Sequence, residues 1–172
     1  ENAVSNSLVA VRAGSRQVQG TLNGLGERFG NPNLTSINQT LLLKNEYADR
    51  YETRVTPERL RILTHASRVL DEVVNQSPYR HAPYVGESAF ATKAGIHASA
   101  ILKDPETYEH VPPEAVGNQR RVFVSDQGGR SNIVAELNRL GISVEKDDPR
   151  VPAMLEALKQ RESQGYSYES AD

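Results

Sequence analysis

Asn31 closes a twelve-residue stretch, GTLNGLGERFGN, that begins at Gly20 and holds four glycines. Its amide offers a neutral oxygen, a hard donor suited to Mg²⁺ or Mn²⁺ and acceptable to Zn²⁺. Glu27 and Arg28 are neighbours in the same stretch. They can pair with each other, or the guanidinium fork can take a substrate carboxylate. Gly24, Gly26 and Gly30 permit close backbone approach to a ligand. The alternative is a glycine-rich turn carrying a surface ion pair. The dinucleotide-binding pattern G-x-G-x-x-G is not met, because Phe29 stands at its third glycine.

The histidines are His65, His81, His97 and His110. No two stand at the i, i+4 helical spacing of a zinc pair, so a self-contained metal site of that kind is not expected. His97, in KAGIHAS, lies beside Gly95 and other small residues, which suggests a tight approach. Such a histidine can act as a general base or can be a satisfied structural residue. His110 follows Tyr108, and both can line one surface. His65 reads as packing or surface, and His81 as surface in a Pro-rich loop. SDQGGRSN (Ser125–Asn132) can be an anion-binding nest opening a helix, or a turn plus an N-cap; the turn is favoured because no Lys or P-loop spacing accompanies it.

These residues need elements to place them. Residues 2–13 set Val4, Leu8 and Val11 at helical spacing, with Gly14 as a stop. Arg16–Leu22 reads as a short strand, so the glycine-rich stretch leaves a strand at its C-terminal end, where α/β folds and barrels carry their sites. Asn33–Asn45 resumes a helical pattern through Leu34, Ile37, Leu41 and Leu42. Helix, strand, loop, helix is the grammar of a barrel or a doubly wound sheet. A lone strand would leave both of its edges unpaired. This segment is therefore expected to need further strands, and the chain, opening on Glu1, is expected to be an excerpt of a longer protein.

Ala48–Val55 reads as a polar linker. Thr56 and Pro57, as N-cap and first helical residue, open a helix of about five turns. Leu60, Leu63, Ala66, Leu70 and Val73 form one apolar stripe down it. Ser88–Lys103 is expected to be helical with Gly95 as a weak point, followed by a Pro-rich connection. Arg121–Asp126 alternates like a strand, and Ser131–Gly141 is a short helix ended by Gly141. Asp148-Pro149 opens the last helix, with Val151, Met154, Leu155 and Leu158 on one face.

The chain of 172 residues suffices for one ordinary domain or two small ones. Apolar residues make up 37%, charged residues 24%, and mean hydropathy is −0.57, which is polar for a self-sufficient globule. A net charge of −2 points to neither nucleic acid nor an anionic membrane as partner. The absence of cysteine excludes a disulfide framework and a Cys-ligated metal. No apolar run approaches the ~20 residues of a membrane span, no signal-like segment is seen, and a cytoplasmic location is expected.

Taken together, these motifs resemble a known family. NAVSNSLVAVRAGSRQVQGTLNGLGERFGN looks like the end of the catalytic barrel in the 2-isopropylmalate, homocitrate and citramalate synthases. GESAFATKAGIHASAILKDPETYEHVPPEAVGN resembles the segment after that barrel, where members read S-x-F-A-x-K-x-G-I-H and then T-Y-E. RRVFVSDQGGRSNI is similar to the citramalate synthase branch. The resemblance covers most of the chain, roughly Glu1 to Asp172.

The resemblance implies an α/β fold: the C-terminal part of a (β/α)8 TIM barrel over residues 1–48, then mostly helical α+β linker and lid subdomains over residues 49–172. It implies a divalent metal, Mg, Mn or Zn, at the barrel mouth. In the family that metal is held by an Asp on the first strand, an H-x-H pair late in the barrel and the Asn of G-E-R-x-G-N. Of these only the last has a counterpart here, Asn31. Glu27 and Arg28 become substrate-side residues at the rim. His97 would serve acetyl-CoA activation with Tyr108 nearby, in trans across a homodimer. Ser99 stands where relatives often have Asp, so no acidic helper is carried over.

The activity implied is condensation of acetyl-CoA with a 2-oxo acid, pyruvate to citramalate, in isoleucine supply. The chain by itself is expected to be inactive. The alternative within the class is a 2-isopropylmalate or homocitrate synthase. The alternative outside it is a non-catalytic helical interaction module, which a long amphipathic helix would suit.

Overall fold

The computed structural model describes residues 2–123 and 128–166. They form two compact units, one within Glu1–Ala89 and Val111–Gln119, the other within Phe90–His110 and Arg120–Asp172. The architecture is helices with one two-stranded parallel sheet, in keeping with an α/β class. Among the described residues no helix is long and apolar enough to cross a membrane.

In the first unit, helix α1 (Ala3–Arg12) stops where Gly14 implies it should. Gly14 N donates to Val11 O at 3.0 Å and Ser15 N to Ala10 O at 2.9 Å, closing the last turn. Helix α2 (Leu34–Leu43) is capped by Asn33, whose side chain accepts from Thr35 N at 2.9 Å. Helix α3 (Asn45–Ala48) follows at once. Val11, Ile37, Leu41 and Tyr47 form a buried cluster, with Val4, Leu8, Val18 and Tyr51 packed against it. Full burial of a side chain such as Ile37 contributes about 1.5–3 kcal/mol. Tyr47 and Tyr51, on either side of residue 48, both belong to this packing.

The strand expected over Arg16–Leu22 does not form. Its only bridge among the described residues is the isolated parallel pair Thr21 and Asn33. A strand exists only as part of a ladder, and the segment that comes alongside, Pro32–Leu34, meets this one at Gly20 and Thr21 and then turns into a helix.

The long helix expected from Thr56 is in fact two, α4 (Pro57–Leu60) and α5 (Leu63–Val73). The break at Arg61 and Ile62 is enforced from outside. The Arg61 carbonyl lies against Gly117, and Thr64 Oγ1 donates to Val116 O at 2.8 Å. The buried face overlaps the apolar stripe without matching it, since Leu63, Ala66 and Leu70 are only half-buried. Leu60, Thr64 and Ser67 are buried, whereas Val73 is 77% exposed.

In the second unit, strand β1 (Ala91–Thr92) pairs in parallel with β2 (Arg121–Val122), Ala91 opposite Arg121. The helix expected from Ser88 therefore starts only at Gly95, as α6 (Gly95–Lys103), because β2 offers the preceding residues a ladder. At Gly95 a Cβ would stand 2.8 Å from Gly129 N, so the start of α6 abuts the start of α7 (Arg130–Arg139). Gly129 N donates to Asn132 Oδ1 at 3.0 Å. The buried Asn132 amide donates in turn to Lys93 O and Phe123 O, at 3.0 and 2.9 Å. This is the N-cap side of the reading of SDQGGRSN; Ser125–Gln127 and the end of the expected strand at Asp126 lie outside the described residues.

Helix α8 (Arg150–Ser163) packs on α7 through Ile133, Val144 and Val151, with Leu137 and Leu155 against them. Met154 is not on that face; it is 46% exposed. Asp148 opens α8, accepting from Arg150 N at 2.9 Å and pairing with its guanidinium at 2.7 Å. That grip lowers the Asp148 carboxyl from 3.8 to about 2. A depressed carboxyl stabilises the fold above its ordinary range and ceases to do so as pH falls through about 2. In Arg150→Ala the Asp148 carboxyl midpoint, followed by NMR, is expected to return toward 3.8. An unchanged midpoint would refute the grip.

Candidate active-site residues

The glycine-rich stretch is a tightly tied loop. Thr21 N donates to Pro32 O at 3.0 Å, Leu34 N to Thr21 O at 2.9 Å, and Asn31 N to Gly24 O at 3.0 Å. Gly30 has φ +98°, and a Cβ there would stand 2.6 Å from Gly24 O. Gly26 lies against the Asn31 carboxamide with no room for a Cβ. Asn31 Nδ2 donates to Leu25 O at 3.0 Å, which leaves Oδ1 as the end available to a cation.

Glu27 and Arg28 are exposed and, against the surface-pair alternative, make no ion pair with each other. Arg28 adopts φ +60°, an uncommon conformation for a non-glycine residue, and Phe29 beside it is 90% exposed. Among the described residues no group of three His, Asp or Glu side chains gathers that could hold a metal. Asn31 thus fits as the donor of one oxygen ligand and cannot form a site without others. A cavity of about 880 Å³ does exist in this unit, with Val11, Val18, Ile37 and Leu41 in its wall, but none of the candidate residues lines it.

Sequence reasoning missed Asn23. It has φ +57°, its Nδ2 donates to Ser67 O at 3.0 Å and to Asp71 Oδ1 at 2.9 Å, and its Oδ1 accepts from Ser67 Oγ at 2.7 Å. This one side chain clamps the loop to α5. An Asn-Gly step signals a turn, but nothing local signals a partner on a distant helix.

The second unit brings His97 and Tyr108 together. Their ring centroids are 4.6 Å apart with planes tilted by 41°. His97 is half-buried on α6, after Ile96, which is 76% exposed; Tyr108 is 53% exposed. A base placed this way is reachable by a substrate while its ring is braced on one side. His110, two residues after Tyr108, stacks on Phe90 with ring centroids 6.1 Å apart. His65 and His81 are exposed, as expected, the latter edge-on to Tyr79 at 6.0 Å.

Residues 2–64 match the HMGL-like family model, and residues 84–165 match the homocitrate synthase post-HMGL domain-like model. An (R)-citramalate synthase of Synechocystis is 48% identical over 170 residues, which are 99% of this chain and 30% of that protein. An (R)-citramalate synthase of Streptomyces coelicolor is 50% identical over 99% of this chain and 31% of its own length. A 2-isopropylmalate synthase of Methylacidiphilum infernorum is 39% identical over 85% of this chain and 28% of its own length. The chain thus spans about a third of the curated relatives it matches. With two adjoining family models and these relatives in agreement, the chain belongs to the 2-isopropylmalate, homocitrate and citramalate synthase family.

Proposed function

We propose that this chain is part of an acyltransferase that condenses acetyl-CoA with pyruvate to give citramalate, a step in isoleucine supply in the cytoplasm. The observation that carries the chemistry is the His97–Tyr108 contact at 4.6 Å, a reachable base braced by an aromatic ring. The choice of pyruvate is supported by identity, 48–50% to two citramalate synthases against 39% to a 2-isopropylmalate synthase. The domain reading is also part of the proposal: residues 1–48 end a TIM barrel, and residues 49–172 are linker and lid, serving a partner's barrel in a homodimer.

In this reading His97 takes a proton from the acetyl methyl of acetyl-CoA. The enolate carbon bonds to the keto carbon of the 2-oxo acid, and the keto oxygen takes up a proton. Water then cleaves the thioester, releasing the CoA thiol and leaving a carboxylate. Tyr108 holds the imidazole in place. Glu27 and Arg28 border the 2-oxo acid, Arg28 offering its fork to the carboxylate. A divalent ion, held in part by Asn31, would supply polarisation of the ketone as a Lewis acid.

A non-catalytic helical module is not favoured, because the long amphipathic helix it rested on is two helices with Thr64 and Ser67 on the buried face. The test is thiol release by the full-length enzyme with acetyl-CoA and a panel of 2-oxo acids. Pyruvate is expected to be the preferred acceptor, with activity lost to a chelator and restored by Mg²⁺ or Mn²⁺. Preference for 2-oxoisovalerate or 2-oxoglutarate would move the assignment to the isopropylmalate or homocitrate branch. No turnover with any acceptor would refute the enzyme.

A further inference from the structure

Tyr108, Glu109 and His110 are consecutive, yet each is held by a different partner in the second unit. Tyr108 lies on His97, and His110 stacks on the buried Phe90 with planes 12° apart. The Glu109 side chain is 7% exposed and takes both arms of the Arg120 fork, Nε at 2.5 Å and Nη2 at 2.6 Å.

We propose that the Glu109–Arg120 pair is the positioning device that sets Tyr108 against His97. Tyr108 is 53% exposed, so burial does not hold its ring, and one tilted aromatic contact is a weak restraint on a side chain free to leave for solvent. The restraint must come through the backbone. On the N-terminal side, Asp104 ties the turn at Pro105–Thr107: its Oδ1 accepts from Glu106 N at 3.1 Å, and its carbonyl from Thr107 Oγ1 at 2.7 Å. On the C-terminal side the anchors are Glu109 and His110.

Their partners share one place in the fold. Phe90 and Arg120 directly precede the paired residues Ala91 and Arg121, and Arg121 N donates to Phe90 O at 3.0 Å. One end of the β1–β2 ladder thus holds residues 109 and 110. From the other end β1 runs through Lys93, whose carbonyl Asn132 grips, into α6 and His97. Two-point Arg–carboxylate binding fixes orientation as well as distance, which a lysine cannot reproduce. A carboxylate this enclosed, left without its guanidinium, would leave the enclosure and carry Tyr108 with it.

The catalytic value of this device rests on the reading of His97 above; its structural part does not. It is tested by NMR of the His97 ring protons in the full-length enzyme, which report the ring current of Tyr108. Tyr108→Leu sets the value with no neighbouring ring. Arg120→Met and Glu109→Gln are each expected to move the His97 signals at least half-way to that value. Arg120→Lys is expected to give partial recovery only, and Arg139→Met, which breaks the Glu136 pair on α7, no change. Folded Arg120→Met or Glu109→Gln proteins with wild-type His97 signals would overturn the proposal. Should neither fold, backbone relaxation of the unaltered full-length enzyme decides. Residues 108–110 are expected to be as ordered as α6, and mobility like that of an exposed terminus would equally overturn it. In the full-length enzyme the same variants are expected to lower kcat with little change in KM for pyruvate. An inert enzyme would refute the functional reading alone and leave the NMR result standing.

Discussion

His97→Ala is expected to lower metal-dependent thiol release by the full-length enzyme about 10²–10⁴-fold, the usual worth of a well-placed general base. The loss should fall on kcat, with KM for pyruvate nearly unchanged, because the proposed base acts on acetyl-CoA and not on the 2-oxo acid. The fold should be spared. His97 is only half-buried, and the residues that seat α6 are Ala98 and Ile101, both buried. Far-UV circular dichroism and the urea midpoint should therefore match the parent. Tyr108→Phe keeps the ring contact and should cost much less than His97→Ala, whereas Tyr108→Leu removes the brace. A His97→Ala enzyme with more than a tenth of the parent kcat would remove His97 from the mechanism and leave the histidine as a structural residue.

Gly117→Ala is the substitution expected to damage the fold most. Gly117 has φ +71°, where a side chain costs about 1–2 kcal/mol by itself. A Cβ would also overlap the Arg61 carbonyl, which is backbone and cannot swing aside. Moving it would disturb Thr64, which donates to Val116 O, and the wholly buried pair Leu60 and Val116. The sum is expected to be on the order of 2–4 kcal/mol, within the range for single changes that create strain and unseat a core. It should appear as a lower urea midpoint with an unchanged slope. Gly141→Ala is the comparison: φ is +81° but nothing lies within 4 Å of its Cβ, so only the conformational part should be lost. Equal losses at the two positions would show that the contact with Arg61 contributes nothing.

Much of the helical content was legible in the sequence. The stops at Gly14 and Gly141, the helical pattern that resumes after Asn33 and the opening of the last helix at Asp148 are all local. Each depends on residues within one turn, and such interactions write themselves into short spacings. The motifs around Asn31 and His97 likewise carry the family by themselves, and the family models match both regions.

What required the tertiary structure is whatever depends on residues distant along the chain. Periodicity gave one helix from Pro57 to Val73, and only Gly117 and Val116, arriving from far downstream, break it and turn Thr64 and Ser67 inward. Arg16–Leu22 has the composition of a strand, but composition cannot supply the neighbour that a ladder needs. Ser88–Lys103 has helical spacing, yet β2 claims its first residues for a sheet. At the candidate site, residue types could nominate His97 and Tyr108 singly. That they touch, and that Glu109, Arg120, Phe90 and His110 hold them so, is decided by side chains whose separation in sequence leaves no periodic trace.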